Sequence, residues 1–196
     1  NVQREVIYAQ RQKVLDGEDL KDSIRTMLQN VVSTTVTTAL ADAGGVVTED
    51  SLHLLASLFE GIYCAKGTLE GRKEELLGKD SKETAEILEQ IAENTYQAKE
   101  NAYGEKLMRE LERVIMLRVV DEYWMDNIDA MDDLKQGIGL RAYGQHDPVI
   151  AYKEEGYQMF QAMIAAIREE TIRRLFLVQV RPQQEIKREK VAKETG

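Results

Sequence analysis

Disulfide frameworks, membrane spans and phosphate cradles are all missing from this chain of 196 residues. Cys64 is its single cysteine, so neither a disulfide scaffold nor a cysteine-based metal site can be built within it. That usage fits a reducing compartment, with Cys64 acting as a small buried hydrophobe. Prolines number two, Pro148 and Pro182, and with so few helix breakers an all-helical chain is favoured. No apolar run approaches the ~20 residues that cross a bilayer, since Arg118 interrupts Val114–Val120 and Ala162–Ile167 is short. There is no signal-peptide pattern at Asn1. The chain opens in helical sequence without a start methionine and reads as a segment of a larger protein. A net charge of −9 argues against a general nucleic-acid binder, which needs a basic face. The glycines do not spell GxxxxGK[ST], so no nucleotide site is expected within the chain.

What is present is helical periodicity. The apolar fraction of 43% is enough for a packed core. Residues 1–15 read as a polar helix with Val2, Val6, Ala9 and Val14 on one stripe, and Asp19 is positioned to cap a second helix. Ile24, Met27, Leu28 and Val31 then recur at helical spacing. The β-branched run at 32–38 permits a strand locally, but no second strand exists to pair with it, so a helix is preferred. Thr48 is an N-cap for a helix carrying Leu52, Leu55, Ala56, Phe59 and Tyr63. Asp80-x-x-Glu83 has capping-box spacing, followed by Ile87, Leu88, Ile91, Thr95 and Ala98 on one face. Residues 40–104 thus read as a small helical lobe.

The strongest pattern begins near Glu105. Leu107, Leu111, Val114, Leu117, Val120, Trp124, Ile128, Met131 and Leu134 recur every three or four residues. A helix over 107–136 would be about 45 Å long and needs a partner for its stripe. Asp147 as cap and Pro148 at the first helical position open a second arm with Tyr152, Phe160, Met163, Ile167, Leu175 and Val178. An antiparallel pair is the simplest packing, and Pro182 marks the end of the second arm.

Between the arms lies a tip in which Gly137, Gly139 and Gly144 are expected to allow turns. Leu140, Arg141 and Tyr143 lie among them. A tyrosine and a guanidinium at the end of a rigid prong are good contact groups. The alternative is a tip that packs on itself, with Arg141 held by Asp147. Trp124 is expected in the core between helices. Asp121, Glu122, Asp126, Asp129, Asp132 and Asp133 form an acidic cluster that could hold a divalent ion. No histidine or third carboxylate stands in register, so a solvated face is the favoured reading. His53 and His146 stand in no metal or triad arrangement. Residues 181–196 carry five basic and three acidic side chains and read as a solvated tail.

The string from Val114 to Ile138 and the tip string Leu140-Arg141-Ala142-Tyr143-Gly144-Gln145-His146-Asp147-Pro148 resemble the C-terminal region of the SecA family. The opening Asn1-Val2-Gln3-Arg4-Glu5-Val6-Ile7-Tyr8 is similar to a segment of that family's long scaffold helix. The resemblance implies an all-α fold, a long antiparallel hairpin (the two-helix finger) on a helical scaffold with a small wing lobe. Scaffold would cover 1–35, wing 36–105, scaffold return and finger 106–180, and a polar tail 181–196. It implies a non-catalytic part of an ATP-driven translocase. Tyr143, flanked by Leu140, Arg141 and Gln145, would touch preprotein at the mouth of the SecYEG channel. ATP and Mg²⁺ would bind only in the full-length protein, and the family's zinc tail is not in this chain. Further implied partners are the remaining domains, a second copy and the anionic inner membrane, met from its cytoplasmic face. Gly144 and His146 depart from the Ala and the Lys or Asn common in the family. A regulatory or docking module without substrate contact, and a metal-dependent enzyme on the acidic arm, are the competing readings.

Overall fold

The computed structural model describes residues 2–141 and 147–181, with Arg141 described by its backbone alone. Seven helices form it: α1 (Val2–Leu15), α2 (Lys21–Leu40), α3 (Glu49–Phe59), α4 (Lys73–Leu76), α5 (Ser81–Tyr103), α6 (Glu105–Arg141) and α7 (Pro148–Leu177). No strand occurs among the described residues, which hold only isolated bridges. The fold is all-α. The β-branched run at 32–38 is helical because its Val32 and Val36 are buried in the core, and packing outweighs the small loss of propensity.

Helix ends follow local chemistry. The Thr48 hydroxyl accepts the Ser51 N–H while the Ser51 hydroxyl accepts the Thr48 N–H, a complete capping box. Asp80 caps α5 by accepting the Glu83 N–H at 2.8 Å, but the Glu83 carboxylate faces Lys79 at 4.0 Å instead of closing a box. Asp19 sits one residue before the N-cap Leu20 and accepts the Lys21 N–H at 2.9 Å. Gly104 adopts φ +87°, which lets α5 turn at once into α6.

α7 packs along α6, α1 packs on α6, and α2 lies against α3, α5 and α7. One apolar core runs from Ile7 through Leu55, Phe59 and Leu88 to Ile172 and Leu175. Several expected faces are rotated. In α1, Ile7 and Val14 are buried while Val2 and Val6 are exposed, because helical spacing from Val14 leads back to Ile7 and not to the valines. In α5, Ala98 is exposed and the buried line passes through Ala92 to Glu100. In α6, Val114 and Ile128 face outward, and the seam runs through Met108, Glu112, Met116, Val119 and Asn127 to Ile138.

α6 is longer than its apolar stripe suggests. Its 37 residues span about 55 Å and carry the helix through Arg141. Gly137 and Gly139, expected at a turn, are therefore helical, without positive φ. A Cβ built on either meets nothing within 4 Å. Gly137→Ala and Gly139→Ala should each stabilise the chain by up to about 1 kcal/mol, read as a raised midpoint in chemical denaturation.

Candidate functional site

The hairpin of α6 and α7 is the most extended feature of the molecule. Asp147 caps α7 by accepting the Val149 N–H at 2.9 Å, and Pro148 occupies the first turn. The arms meet along Phe160, Met163 and Ile167 of α7. Gly156 is buried against α6, and a Cβ added there would stand 2.8 Å from Met131 Cε. An ion pair crosses between the arms, with Arg174 donating to Glu122 at 2.7 Å and to Glu170 of its own helix at 2.8 Å. These two bonds raise the Arg174 pKa, and the guanidinium lowers that of Glu122.

α1 braces the same hairpin. Arg11 makes a bidentate pair with Asp121 at 2.8 and 3.0 Å, and Gln3 donates to the Gly156 carbonyl at 3.2 Å. Two members of the acidic cluster are thus ion-paired, while Asp126, Asp129, Asp132 and Asp133 face solvent. No group of three or more potential metal ligands occurs among the described residues. His53 is exposed, and His146 lies outside the described residues.

Trp124 packs against the core as a partly buried ring beside Tyr8, Arg11 and Leu15 of α1. Its Nε1 is buried without a partner among the described residues. Trp124→Ala should lower stability by about 2 kcal/mol, less than the ~3–5 of a fully buried ring, measured by urea titration.

At the far end, Leu140 is 78% exposed, and Val149 and Ile150 are 58% and 55% exposed. Three large apolar side chains therefore stand exposed at the last residues of α6 and the first of α7. Val149 and Ile150 were missed by stripe counting, although two apolar residues directly after the cap and proline are a readable sign. Tyr143, Gly144 and Gln145 lie outside the described residues, as does the Arg141 side chain. Pro182 and the tail after it also lie outside, and α7 itself stops at Leu177.

The opposite end of the hairpin is anchored by polar groups. Lys99 of α5 donates to the Leu175 and Phe176 carbonyls at 2.9 and 3.0 Å, which places a cation on the negative end of α7. Beside it, Arg109 binds Glu100 and, at 2.9 Å, Glu112, and the Tyr96 hydroxyl donates to Glu112 at 3.0 Å. Glu112 is fully buried, and desolvation pushes its carboxyl pKa up against the opposing pull of Arg109. No helix among the described residues is long and apolar enough to cross a membrane.

This arrangement packs two long arms together and leaves apolar groups exposed at one end. The family model that matches is the SecA wing and scaffold domain, over residues 1–179. The chain is 48% identical over its whole length to the protein translocase subunit SecA of Clostridium botulinum strain Okra, of which it covers 23%. It is 45% identical to that of Finegoldia magna, with all of the chain and 21% of the relative aligned. With the Desulforudis audaxviator protein it shares 45% identity, over 97% of the chain and 22% of the relative. The chain thus spans less than a quarter of the length of these relatives. From the helical architecture, the braced hairpin and these matches, the chain belongs to the SecA family and corresponds to its wing and scaffold region.

Proposed function

We propose that this chain is the non-catalytic wing and scaffold part of a protein translocase motor, and that its hairpin is the element that meets the transported polypeptide. Residues 1–35 and 106–180 would form scaffold and finger, and 36–105 the wing. The observation that carries the reading is the rigid pair α6–α7 with Leu140, Val149 and Ile150 exposed at its end. Apolar groups held in water at the tip of a braced pair suit a contact that is indifferent to sequence. Tyr143, Arg141 and Gln145, next to Leu140 in the chain, would complete that contact. ATP and Mg²⁺ would act in the parts of the longer protein outside this chain. The partners would be unfolded preprotein, the SecYEG channel and the remaining domains, at the cytoplasmic face of the inner membrane, with a second copy and anionic lipid as further contacts.

The test is Tyr143→Ala in the full-length protein, with translocation and ATPase followed together. Translocation should fall well below ATPase activity if the tip grips substrate. Unchanged translocation would favour a docking module that never touches the transported chain.

A further inference from the structure

A groove of about 360 Å³ lies between α2, the end of α3 and the C-terminal half of α7. Arg168 on its wall is about 30 Å along α7 from Pro148, far from the hairpin tip. Val31, Leu58 and Ile62 give the groove an apolar lining, and Leu54, one turn back from Leu58 on α3, extends the apolar strip outward. Thr34 and Thr38 of α2 line it on one side, and Arg168, Glu169 and Arg173 of α7 on the other.

Tyr63 also lines it. The residue is 4% exposed, with its ring packed 5.1 Å from Phe59 and 4.9 Å from Phe176, and its hydroxyl makes no hydrogen bond among the described residues. Burial, with Glu169 adding to it, raises the phenol to about 12, so it stays a proton donor near neutrality. The arginines are equally short of acceptors. Arg168 has no ion pair among the described residues. Arg173 has only Glu170 Oε1 at 3.7 Å, and Arg174 already holds that oxygen at 2.8 Å. Tyr63, Arg168 and Arg173 thus stand beside Glu169 and Glu170, and Glu170 is held by Arg174.

We infer that this groove is a docking site for a short acidic polypeptide segment, seating a carboxylate on Tyr63 and Arg173 and an adjacent apolar side chain on Leu58 and Ile62. The donors select negative charge, and the apolar lining selects a peptide over a bare anion. Glu169 turns away a second carboxylate at the same point and so favours spaced acidic residues. This site is separate from the tip, and it stands whether or not the tip grips substrate.

The experiment uses a fluorescein-labelled peptide of sequence Gly-Asp-Leu-Glu-Leu-Gly and the 196-residue chain, read by anisotropy. Saturable binding is expected, weaker by about tenfold or more in Tyr63→Phe and in Arg173→Gln, since each removes a hydrogen bond to a charged group. Both variants keep the apolar contacts, and circular dichroism checks that they fold. A lysine-for-acid peptide and one with serine for leucine should bind at least as poorly as the variants do. The proposal is overturned by no saturable binding, by equal binding of the lysine peptide, or by indifference to both substitutions. Displacement by equimolar inorganic phosphate would make it a small-anion site, and loss of binding in Leu140→Ser would move the peptide to the tip. Either result also overturns it.

Discussion

Arg109→Ala should be among the most destabilising single changes in the chain, with a loss of about 3–5 kcal/mol. Arg109 is the cation shared by Glu100 and Glu112, which are 8% and 0% exposed at their side chains. Removing it leaves two nearly buried carboxylates facing each other with only Tyr96 donating to the deeper one. At about 2–4 °C per kcal/mol for a chain of this size, the thermal midpoint should drop by roughly 10 °C. The loss should also depend on pH. The folded Glu112 pKa already lies above its ordinary value through burial, and Arg109 holds it down. Without Arg109 it rises further. A carboxyl group with a raised folded pKa contributes stability below its unfolded pKa and loses it as pH rises through the folded value. The variant should therefore be less damaged at pH 5 than at pH 7.5. Neutralising both partners as well, with Glu100→Gln and Glu112→Gln on an Arg109→Met background, should recover much of the stability. If Arg109→Ala matched the parent in urea at both pH values, the shared cation would have no structural role.

Phe59→Ala should cost a similar ~3–5 kcal/mol through lost burial and the cavity left behind. Phe59 is fully buried at the end of α3 and begins a run of rings. It contacts Tyr63, Tyr63 contacts Phe176 of α7, and Phe176 stands 5.4 Å from Tyr96 of α5. Three helices distant in sequence share that run, and it sits within one continuous core. Trp124 is the single tryptophan and lies on the hairpin, well outside the ring cluster. Its fluorescence should therefore unfold at the same lowered denaturant concentration as the helical signal. A fluorescence transition left in place while part of the helical signal is lost early would show that the α3 region melts alone.

Much of this architecture can be read from local chemistry. Thr48, Asp80, Asp147 and Pro148 mark helix starts because their preferences act within a single turn. Chain reversal between two long apolar patterns implied the antiparallel pair. Exact faces were less readable. The α6 seam includes Glu112 and Asn127, and the α7 seam includes Thr171, so counting apolar residues turns each stripe away from its true line. Glu112 is buried against Tyr96, which only the tertiary fold brings close, and against Arg109 of its own helix, whereas Asn127 Nδ2 and Thr171 Oγ1 are buried without a partner among the described residues. Gly137 and Gly139 misled in the opposite sense, since a long helix with a packed seam absorbs two poor helix formers. The groove beside Tyr63 was invisible because α2, α3 and α7 meet there from widely separated stretches.

The seat of Lys99 on the last carbonyls of α7 ties α5 to the root of the hairpin. With 30 residues, α7 extends about 45 Å from that point. The same root is also held by the Arg174–Glu122 pair and by Ile172, Leu175 and Phe176 in the core. A tilt of about 5° at that root would carry the other end through roughly 4 Å, close to the rise of one extended residue. Length alone would thus magnify any change of angle at the root to the scale of a polypeptide backbone at the other end.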